Sequence, residues 1–538
     1  MTNPPAPLAE AEEPGIVDLK DPGTFLERHS GLVFLIIVSL FLFIVIVESQ
    51  NKLMWHDELF TYYIAQAPNL STLIHQTRTV DLNPPLSYLL VRGLFHLFPA
   101  NATVIRIPSM AGFVLCMWCV YSFLVRKINT AWGIVGVALL ATGTAYTYAF
   151  EARPYGLMLG FLALAFVGWQ RATDEKENRP LGLCLLVCGG LGALLSHVFA
   201  LFAWMMLILA EVVRTRMRRR LDWNVLLALL LPLIAVVTYI PLIRTHAISY
   251  FPSAFQPKQF TIIAYYILTL AQPAFSIVCA MAFTMVFVKR RTFKPQGRLP
   301  LGTPERVALY GFLAVPAILM LYLMHAHAAF FFRYGIVANF AIAVLIAVFS
   351  GWFAQGSRAV AWLTALVLIL WSPLPNAIVS GASHPSRLSL STRKPGTCEA
   401  CELTDRLAPE LPFVDASGLT FMEMDNRGDA HFLSRVYYLT DPSASIHYAH
   451  ANIFEGMQSL KDAFPIRANV VSYSNFVRQH PTFMVLGTYD YPEDWLLKKL
   501  KADGAHLCLL RNVSDEQFKD RQLWRVTFDP TQTNACPS

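Results

Sequence analysis

The chain has 538 residues, of which 55% are hydrophobic and 15% are charged, and its formal net charge at pH 7 is +7. The mean hydropathy of +0.44 is too high for a soluble domain with an ordinary polar surface. These values exclude a purely soluble protein and place the chain among integral membrane proteins.

The first 30 residues are rich in proline and acidic side chains, and they lack the positively charged start of a secretory signal peptide. We therefore expect residues 1–30 to form a disordered cytoplasmic leader. The apolar run that follows is predicted to be an uncleaved membrane anchor.

Apolar runs long enough to cross the hydrocarbon core recur between residues 31 and 380, which favours a mainly α-helical, polytopic transmembrane bundle. We predict about eleven spans, because each span needs about 20 mostly apolar residues. The predicted spans are residues 31–47, 104–124, 131–149, 154–170, 181–196, 198–213, 224–242, 260–288, 306–325, 330–350 and 359–379.

The orientation can be predicted from the Lys and Arg residues, because short cytoplasmic loops retain positive charge. Basic clusters occur in alternate connections, at residues 126–127, 171–179, 214–220 and 289–294. We therefore place these connections and the N-terminus in the cytoplasm, and we interpret the run RTRMRRR as a topology determinant rather than a nucleic-acid-binding segment. On this topology the outer face carries residues 48–103, the turn around Glu151, residues 241–259 and the C-terminal tail.

The first outer loop, residues 48–103, is much longer than a connection needs, which indicates a functional element. Within it, residues 57–66 and 85–98 place aromatic and aliphatic side chains at near-helical spacing. This pattern predicts helices that lie along the membrane surface and form one wall of a cavity where a lipid-borne substrate enters. A simpler interpretation, compatible with this one, is that Trp55, Tyr62, Tyr63 and Tyr88 only anchor the loop at the membrane interface.

Paired carboxylates in this loop are the first catalytic candidates. Asp57 and Glu58 occur in the motif WHDELFTYYI, and a carboxylate shielded from water can take the proton of an attacking hydroxyl. The alternative is that both acids only favour the N-terminus of a helix. Asp81, in DLNPPLSYLL, is a third candidate that could hold substrate or support Asp57, or could cap the next helix together with Asn83.

Basic residues near the predicted outer ends of spans are candidates for phosphate binding, because a lipid phosphate needs a cation, most of all as it becomes the leaving group. Arg106, Arg153, Arg244 and Arg333 qualify by position. Charges inside or beside apolar spans are costly, so Arg153 and Arg333 are functional candidates by default. The alternative for each arginine is a side chain that only extends to the membrane interface.

Three histidines, His197, His325 and His327, are also predicted to face outward, where together with acidic residues they could bind a divalent metal. Their spacing does not match a specific metal motif. We therefore assign no metal ligands and no certain cofactor, and a divalent metal stays an open alternative.

After residue 380 the composition changes to that of an ordinary globular domain. We predict an extracytoplasmic α/β domain over residues 381–538, which would be periplasmic in a bacterium. Predicted strands lie in LPFVDAS, SIHYAH, ANVVSY and FMVLGTY, and predicted helices lie in DAHFLSRVYYL and EDWLLKKLKADGA. The DASG segment, residues 415–418, is interpreted as a structural turn into a helix.

Four cysteines lie in this domain, Cys398, Cys401, Cys508 and Cys536. In an oxidising compartment they could form two disulfides, with three alternative connectivities. We favour Cys398 with Cys401 and Cys508 with Cys536, and a zinc site is the weaker alternative because a second CxxC motif is missing.

The order of the apolar anchor, WHDELFTYYI, DLNPPLSYLL, RIPSM and EARPYGL resembles the GT-C glycosyltransferases. Within that fold, the chain is similar to the bacterial branch related to protein O-mannosyltransferases, aminoarabinose transferase and lipopolysaccharide-core galacturonosyltransferases. The resemblance covers about residues 31–380, and the Asp-Glu motif in the first outer loop is its most specific mark. A lysine that aminoarabinose transferases have near the NPPL turn is absent here, which argues against that sugar.

The resemblance implies roles for individual acidic and amide residues. Asp57 would be the catalytic base with Glu58 in support, and the NPPL turn would shape the sugar site with Asp81 and Asn83. The predicted substrate-binding residues are Asn83, Arg106, Glu151, Arg153, Tyr155, His197, Arg244, Arg333 and Tyr334.

Roles for the arginines follow from the same resemblance. Arg333 or Arg244 would hold the lipid phosphate. Arg153 would either bind substrate or form a structural pair with Glu151.

The resemblance implies an inverting glycosyltransferase that moves a sugar from a polyprenyl-phosphate donor to a glycan, lipid or protein acceptor at the outer face of a bacterial inner membrane. The acceptor hydroxyl would lose its proton to Asp57 and attack the anomeric carbon, and an arginine would stabilise the departing polyprenyl phosphate. The expected partners are the donor, the acceptor and membrane lipid, with neither a nucleotide cofactor nor nucleic acid.

Rival interpretations come from other classes of protein. A transporter or flippase of lipid-linked glycans also has many spans, but no paired internal repeat is visible in the sequence and the acids cluster in an outer loop. A catalytically inactive relative would act as an assembly or binding subunit. A glycan polymerase or ligase of another membrane fold would depend on outer-loop arginines rather than on Asp57.

Overall fold

The computed structural model describes residues 26–246, 256–287, 297–371, 399–450, 461, 464–489, 494–513 and 521–529. Helices come first along the chain, and a domain that contains a β-sheet follows. The helices of the first part are α1 (Ser30–Asn51), α2 (His56–Ala65), α3 (Leu70–Thr79), α4 (Leu86–Phe95), α5 (Ala102–Lys127), α6 (Thr130–Thr142), α7 (Tyr155–Thr173), α8 (Arg179–Ser196), α9 (Ala200–Arg218), α10 (Trp223–Leu230), α11 (Tyr239–His246), α12 (Gln259–Phe287), α13 (Thr303–His325), α14 (Val337–Phe353) and α15 (Arg358–Trp371). Among the described residues, 3-10 segments interrupt them at Thr144–Phe150, Leu231–Thr238 and Phe332–Gly335.

Within the described residues, the predicted spans coincide with these helices or with runs of helical segments, whereas residue 288 and residues 372–379 of two predicted spans lie outside that part of the chain. In the described part of the chain, six helical segments are each long and apolar enough to cross a membrane. Helix α6 with the 3-10 segment after it would make a seventh, bent by 72°. The transmembrane helical bundle is thus confirmed, whereas the predicted number of spans stays a prediction.

Basic residues of the alternate connections gather at one end of the bundle. Two acidic residues each link two of these connections. Arg126 and Arg171 both lie 3.5 Å from Glu177, and Arg179 and Arg214 lie 2.5 and 2.9 Å from Asp222. Lys127, at the end of α5, pairs with Glu305 at the start of α13 at 2.6 Å. Arg106 lies near the opposite end of the same helix α5. The bundle therefore has a basic end and a second end that carries Arg106, as the loop pattern predicts, and the side of the membrane that each end faces stays a prediction.

Helices α5 and α7 pack with their backbones in contact through small residues. A methyl group added to Gly160 would collide with the backbone carbonyl of Gly112, and one added to Gly112 would collide with the backbone of Gly156. Small residues are what permits such an approach between membrane helices. This contact fixes the distance between the start of α7, which follows Arg153, and the start of α5.

We predict that Gly160→Ala destabilises the protein by about 1–3 kcal/mol, because the added methyl group must push two backbones apart. The measurement is the midpoint of thermal unfolding in detergent. Gly31→Ala in α1 is the matched control, since its methyl group meets no atom within 4 Å, and its midpoint should not fall. Equal midpoints for the two variants would contradict the close packing of α5 and α7.

The outer loop holds three helices. Helices α2 and α4 match the predicted segments 57–66 and 85–98, whereas the pattern analysis misses α3. The signal available for α3 is its N-cap, because the side chain of Asn69 accepts a hydrogen bond from the backbone N–H of Thr72 at 2.8 Å.

Two of the predicted interfacial anchors are wrong. Tyr63 is buried and stacks on Phe464 of the C-terminal domain, with ring centroids 5.3 Å apart. Tyr88 is fully buried and its hydroxyl donates to Asp81. These rings are covered by protein, so the apolar face of the loop helices serves protein packing at these positions.

The C-terminal domain is built on one six-stranded sheet in the order β3-β2-β1-β4-β6-β5. Strands β3, β2, β1 and β4 are parallel to one another, whereas β6 pairs antiparallel with both β4 and β5. The strands are β1 (Phe413–Asp415), β2 (Val436–Thr440), β3 (Asn469–Ser472), β4 (Thr482–Gly487), β5 (His506–Val513) and β6 (Arg521–Thr527). The helices are α16 (Glu399–Leu407), α17 (Gly418–Arg427), α18 (Ala430–Leu433), α19 (Pro442–Ala449), α20 (Tyr473–Gln479) and α21 (Leu496–Ala502).

The predicted α/β class of this domain is confirmed, but some elements differ. The segment SIHYAH lies in α19 instead of a strand, because Asp441 caps the helix and Pro442 occupies its first turn. The segment DAHFLSRVYYL divides into α18 and β2, and β5 and β6 lie outside the predicted elements. The DASG turn joins β1 to α17, with Asp415 accepting from the backbone N–H of Ser417 at 3.0 Å and from the Thr420 hydroxyl at 2.7 Å.

The C-terminal domain packs directly on α2. A single apolar cluster contains Leu59, Phe60 and Tyr63 of α2 together with Phe421 and Phe464 of the domain. Helix α2 is therefore enclosed between the bundle and the C-terminal domain.

Cys401 and Cys508 are each disulfide-bonded, so the alternative that these two residues bind zinc is wrong. Their predicted partners, Cys398 and Cys536, lie outside the described residues, so the connectivity stays a prediction. The predicted boundaries at residues 30 and 380 also stay predictions, because residues 1–25 and 372–398 lie outside the described part of the chain.

Candidate active site

Asp57 lies in the first turn of α2, where the helix dipole favours a negative charge. Its Oδ2 is 3.0 Å from Nη2 of Arg333 and 3.7 Å from Nε of Arg153, and its Oδ1 is 3.6 Å from Nε2 of His56. Burial by itself would raise the pKa of Asp57, but Arg153, His56 and Arg333 together hold it below its ordinary value. The side chain is therefore a carboxylate at neutral pH.

Glu58, the next residue, is wholly engaged in a buried ion pair. Its Oε2 accepts from Nη2 of Arg106 at 2.6 Å, and its Oε1 accepts from Nε of Arg106 and from the backbone N–H of Ala152, both at 2.7 Å. Both side chains are fully buried. Arg106 also donates to the backbone carbonyls of Ser49 and Lys52. Glu58 and Arg106 thus clamp the start of α2 to the bundle and leave no carboxylate oxygen for substrate.

We predict that Arg106→Ala destabilises the protein by about 3–5 kcal/mol, because it leaves the Glu58 charge buried without its partner. The measurement is thermal unfolding of the purified protein in detergent. Arg78→Ala in the same outer loop is the control, since Arg78 is exposed on α3 and its removal should change the free energy of unfolding by less than about 0.5 kcal/mol. A similar small effect of both changes would contradict the clamp.

Asp81 holds Arg153 in a bidentate ion pair. Its Oδ2 and Oδ1 lie 2.6 and 3.0 Å from Nη1 and Nη2 of Arg153, and the hydroxyl of Tyr88 also donates to Oδ2. Burial raises the pKa of Asp81, and the Arg153 guanidinium opposes that rise. Nη1 of Arg153 also donates to the backbone carbonyl of Asp57 at 3.0 Å. The pair Asp81–Arg153 therefore fixes a positive charge beside Asp57.

Two alternatives left open by the sequence are wrong. Glu151 does not pair with Arg153; it lies 2.8 Å from Nζ of Lys52, while Arg153 pairs with Asp81. The alternative that Asp81 and Asn83 cap α4 also fails. The N-cap of that helix is Pro85 without a side-chain hydrogen bond, and Asn83 instead donates to the backbone carbonyl of Asp81 at 2.9 Å.

Arg333 lies in the 3-10 segment Phe332–Gly335 that precedes α14. Its Nε donates to the hydroxyl of Tyr155 at 3.1 Å while its Nη2 pairs with Asp57. The guanidinium also lies over the ring of Phe331, 4.4 Å from the centroid. These contacts fix the position of the guanidinium while one of its edges faces Asp57.

The three arginines of the site differ in their access to solvent. The side chain of Arg106 is 0% exposed and that of Arg153 is 5% exposed, whereas Arg333 is 18% exposed and its partner Asp57 is 15% exposed. The pair Asp57–Arg333 is therefore the part of the charge network that a ligand can reach most readily.

Aromatic side chains form a wall beside Arg333. The ring of Tyr155 lies 5.2 Å from His197 and 6.3 Å from Tyr334, and Tyr334 lies 4.7 Å from Phe199. His197 sits in the turn between α8 and α9, where burial, with Arg153 and Arg333, lowers its pKa to about 3, so that its ring is neutral. Nδ1 of His197 accepts from the backbone N–H of Phe199 at 3.1 Å.

The remaining candidates are not brought into this cluster. His325 and His327 are exposed at the end of α13, and no group of three or more His, Cys, Asp or Glu side chains within the described residues is arranged to hold a metal ion. Arg244 is exposed on α11 and forms no ion pair with any residue that the structure describes.

Sequence reasoning missed four residues that contact the site. His56 lies beside Asp57, Glu423 contacts His56, and Lys52 pairs with Glu151. The ring of Trp55 lies under the guanidinium of Arg333, 5.2 Å from the centroid. Trp55 and His56 directly precede Asp57 in WHDELF, so their position next to Asp57 could have indicated that they contact the site. Glu423 is far away in the chain, and nothing in the sequence around it indicates this contact.

Residues 82–240 match the family model described as dolichyl-phosphate-mannose-protein mannosyltransferase, which is less than half of the chain. No curated protein sequence matches. Among solved structures, ArnT from Cupriavidus metallidurans bound to undecaprenyl phosphate aligns with a TM-score of 0.51 at 11% identity, covering 92% of this chain and 97% of that one. The same ArnT in the apo state gives 0.45 at 12% identity, covering 92% and 98%. The oligosaccharyltransferase of Archaeoglobus fulgidus gives 0.41 at 12% identity, covering 86% and 70%.

The alignment with ArnT spans nearly the whole of both chains, including the C-terminal domain that carries the sheet. The chain therefore has the GT-C membrane glycosyltransferase fold, as the sequence resemblance implies.

Proposed function

We propose that the chain is an inverting glycosyltransferase that moves a sugar from a polyprenyl-phosphate donor to a cell-envelope glycan, lipid or protein acceptor. The observation that carries the proposal is the pair Asp57–Arg333, in which a candidate base and a candidate phosphate ligand lie 3.0 Å apart at the accessible edge of a buried charge network. The likeness to ArnT, which is bound to undecaprenyl phosphate, supports a polyprenyl-phosphate donor.

Donor binding would change the partner of Arg333. A phosphate that enters beside the aromatic wall competes with Asp57 for the guanidinium, because arginine binds phosphate oxygens as well as carboxylates. Arg333 is one of the three basic side chains that hold the pKa of Asp57 down. When Arg333 turns to the phosphate, Asp57 becomes a stronger base at the moment when the donor is in place.

The chemical step is a single displacement. Asp57 takes the proton of the acceptor hydroxyl, the hydroxyl oxygen forms a bond to the anomeric carbon, and the bond from that carbon to the phosphate oxygen breaks. The electron pair of the broken bond stays on polyprenyl phosphate, whose added negative charge Arg333 stabilises. The configuration at the anomeric carbon is inverted, because attack and departure occur on opposite faces.

The other assigned residues would hold this arrangement. Glu58 and Arg106 fix the start of α2, and Asp81 and Arg153 keep one positive charge beside Asp57 after Arg333 has moved. Tyr155, His197 and Tyr334, with their rings beside Arg333, are proposed as the wall against which the sugar packs. Asn83 orders the turn that carries Asp81.

The proposed location is the outer face of a bacterial inner membrane, with the N-terminus in the cytoplasm and the C-terminal domain in the periplasm. Lys127 and Arg214, at the basic end of the bundle, support this orientation because positive loops are retained in the cytoplasm. Disulfide bonding of Cys401 and Cys508 supports an oxidising compartment for the C-terminal domain.

We predict that Asp57→Asn lowers sugar transfer by at least about 100-fold, because the amide cannot accept the hydroxyl proton. The measurement is transfer of labelled sugar from a panel of polyprenyl-phosphate sugars in membranes with matched expression. Glu175→Gln, an exposed carboxylate in the α7–α8 connection, is the control and should retain full activity. Equal activity of wild type and Asp57→Asn would move the base elsewhere, and no transfer by wild type with any donor would favour a transporter or a binding subunit.

We predict that Arg333→Ala lowers kcat/KM for the donor by about 100- to 1,000-fold, because the leaving phosphate loses its cation. Arg333→Lys should recover part of this loss, since lysine keeps the charge but not the two-pronged geometry. Arg244→Ala serves as the comparison, because the sequence resemblance allows either arginine to hold the phosphate. Loss of donor use in Arg244→Ala with normal use in Arg333→Ala would reverse the assignment.

A further inference from the structure

Glu423, on α17 of the C-terminal domain, contacts the residue next to Asp57. Its Oε1 accepts from the backbone N–H of His56 at 2.9 Å and lies 3.3 Å from Nδ1 of the same residue. The Glu423 side chain is 5% exposed. One turn along the helix, Arg427 donates to the backbone carbonyl of Met54 at 3.3 Å and lies 4.0 Å from Glu423. One face of α17 therefore holds the chain just before Asp57.

The imidazole of His56 lies between two carboxylates. Nδ1 faces Glu423, and Nε2 faces Oδ1 of Asp57 at 3.6 Å. A carboxylate only accepts hydrogen bonds, so the Nδ1 that faces Glu423 carries a hydrogen. The orientation of the ring, and with it the direction of Nε2 towards Asp57, thus depends on a residue from the other domain.

We infer that Glu423 is a positioning residue for sugar transfer, which acts through His56 on Asp57, so that the C-terminal domain completes the active site. This inference rests on the proposed function. Helix α17 begins at the DASG turn after β1 and ends at Arg427, so the sheet of the C-terminal domain fixes where Glu423 lies.

Charged groups from both parts of the chain face these side chains. Among the described residues, Asp57 faces His56, Arg153 and Arg333 and interacts with Asp81, and Glu423 faces His56 and Arg427. Arg153 and Arg333 come from the bundle, whereas His56 is the neighbour of Asp57 that the C-terminal domain contacts through Glu423. A change at Glu423 therefore reaches Asp57 through His56.

The first test is kinetic. Glu423→Ala and His56→Ala should each lower kcat by roughly 10- to 100-fold, because the carboxylate of Asp57 is no longer held in one position and orientation. The double variant should be no slower than His56→Ala, since both changes remove one interaction. Glu423→Gln should recover most of the activity, because the amide oxygen still accepts from His56. Independent, additive losses in the double variant would overturn the inference.

The pH dependence distinguishes a Glu423 that positions His56 from a Glu423 that only holds the C-terminal domain against the bundle. His56 is one of the groups that hold the pKa of Asp57 down, so its loss raises that pKa, and the acid limb of the rate profile should move to higher pH in His56→Ala and in Glu423→Ala. Asn426→Ala, on the same helix, removes only the 3.5 Å contact with the Tyr63 hydroxyl and should leave the limb unchanged. Phe464→Ala removes apolar contact across the same interface. If Phe464→Ala moves the acid limb to the same extent, Glu423 only helps to hold the C-terminal domain against the bundle, and the inference fails.

A spectroscopic readout is independent of transfer. In protein labelled with nitrogen-15 at histidine, the signal that disappears in His56→Ala belongs to His56. That signal should move in Glu423→Ala and stay in place in Asn426→Ala. An unchanged His56 signal in Glu423→Ala would overturn the inference even if wild type transfers sugar. A shifted signal supports the contact even if wild type proves inactive with every donor, in which case only the proposed function fails.

Discussion

The buried pair of Glu58 and Arg106 is the constraint from which the geometry of the site follows. Two charges removed from water are tolerated only when every oxygen and N–H has a partner, and here the partners include the backbone of Ser49, Lys52 and Ala152. Those contacts tie the end of α1, the start of α2 and the segment before α7 to the first turns of α5. Adjacent residues of a helix point in different directions, so fixing Glu58 inward leaves the side chain of the preceding residue at the edge of the bundle.

A gradient of burial runs through the charges beside that clamp. Three carboxylate–arginine pairs follow one another, with decreasing enclosure: Glu58–Arg106, Asp81–Arg153 and Asp57–Arg333. The first two are enclosed and carry further hydrogen bonds to the backbone, and we expect them to stay intact when a ligand arrives, because breaking them would leave a buried charge. In the third pair Arg333 also donates to the Tyr155 hydroxyl, but both side chains keep access to solvent, so we expect a negatively charged ligand to exchange with the carboxylate at a smaller cost. The two enclosed pairs therefore support the candidate site, whereas the solvent-accessible pair Asp57–Arg333 is the one that a ligand can reach.

The sequence predicted the type of these residues but not their pairing. Asp57, Glu58 and the outer-end arginines stand out because charge is rare beside apolar spans. Their partners are set by tertiary structure. Arg153 pairs with Asp81, 72 residues away, although Glu151 is only two residues distant. The same limit applies to strands: apolar alternation indicated β1, β3 and β4, whereas capping by Asp441 turned a strand-like pattern into α19.

Helix α2 has a pattern typical of a membrane-surface helix and carries the candidate base Asp57. Thr61 donates to the backbone carbonyl of Ala152 in the bundle at 2.8 Å, while Leu59 and Tyr63 pack into the C-terminal domain. The bundle therefore covers one face of α2 and the C-terminal domain covers the other. The apolar side chains of the helix pack against protein instead of lipid. The Asp57 side chain in the first turn keeps 15% of its surface exposed. A helix held on two sides in this way fixes the position of that carboxylate, which the proposed role of Asp57 as a base requires.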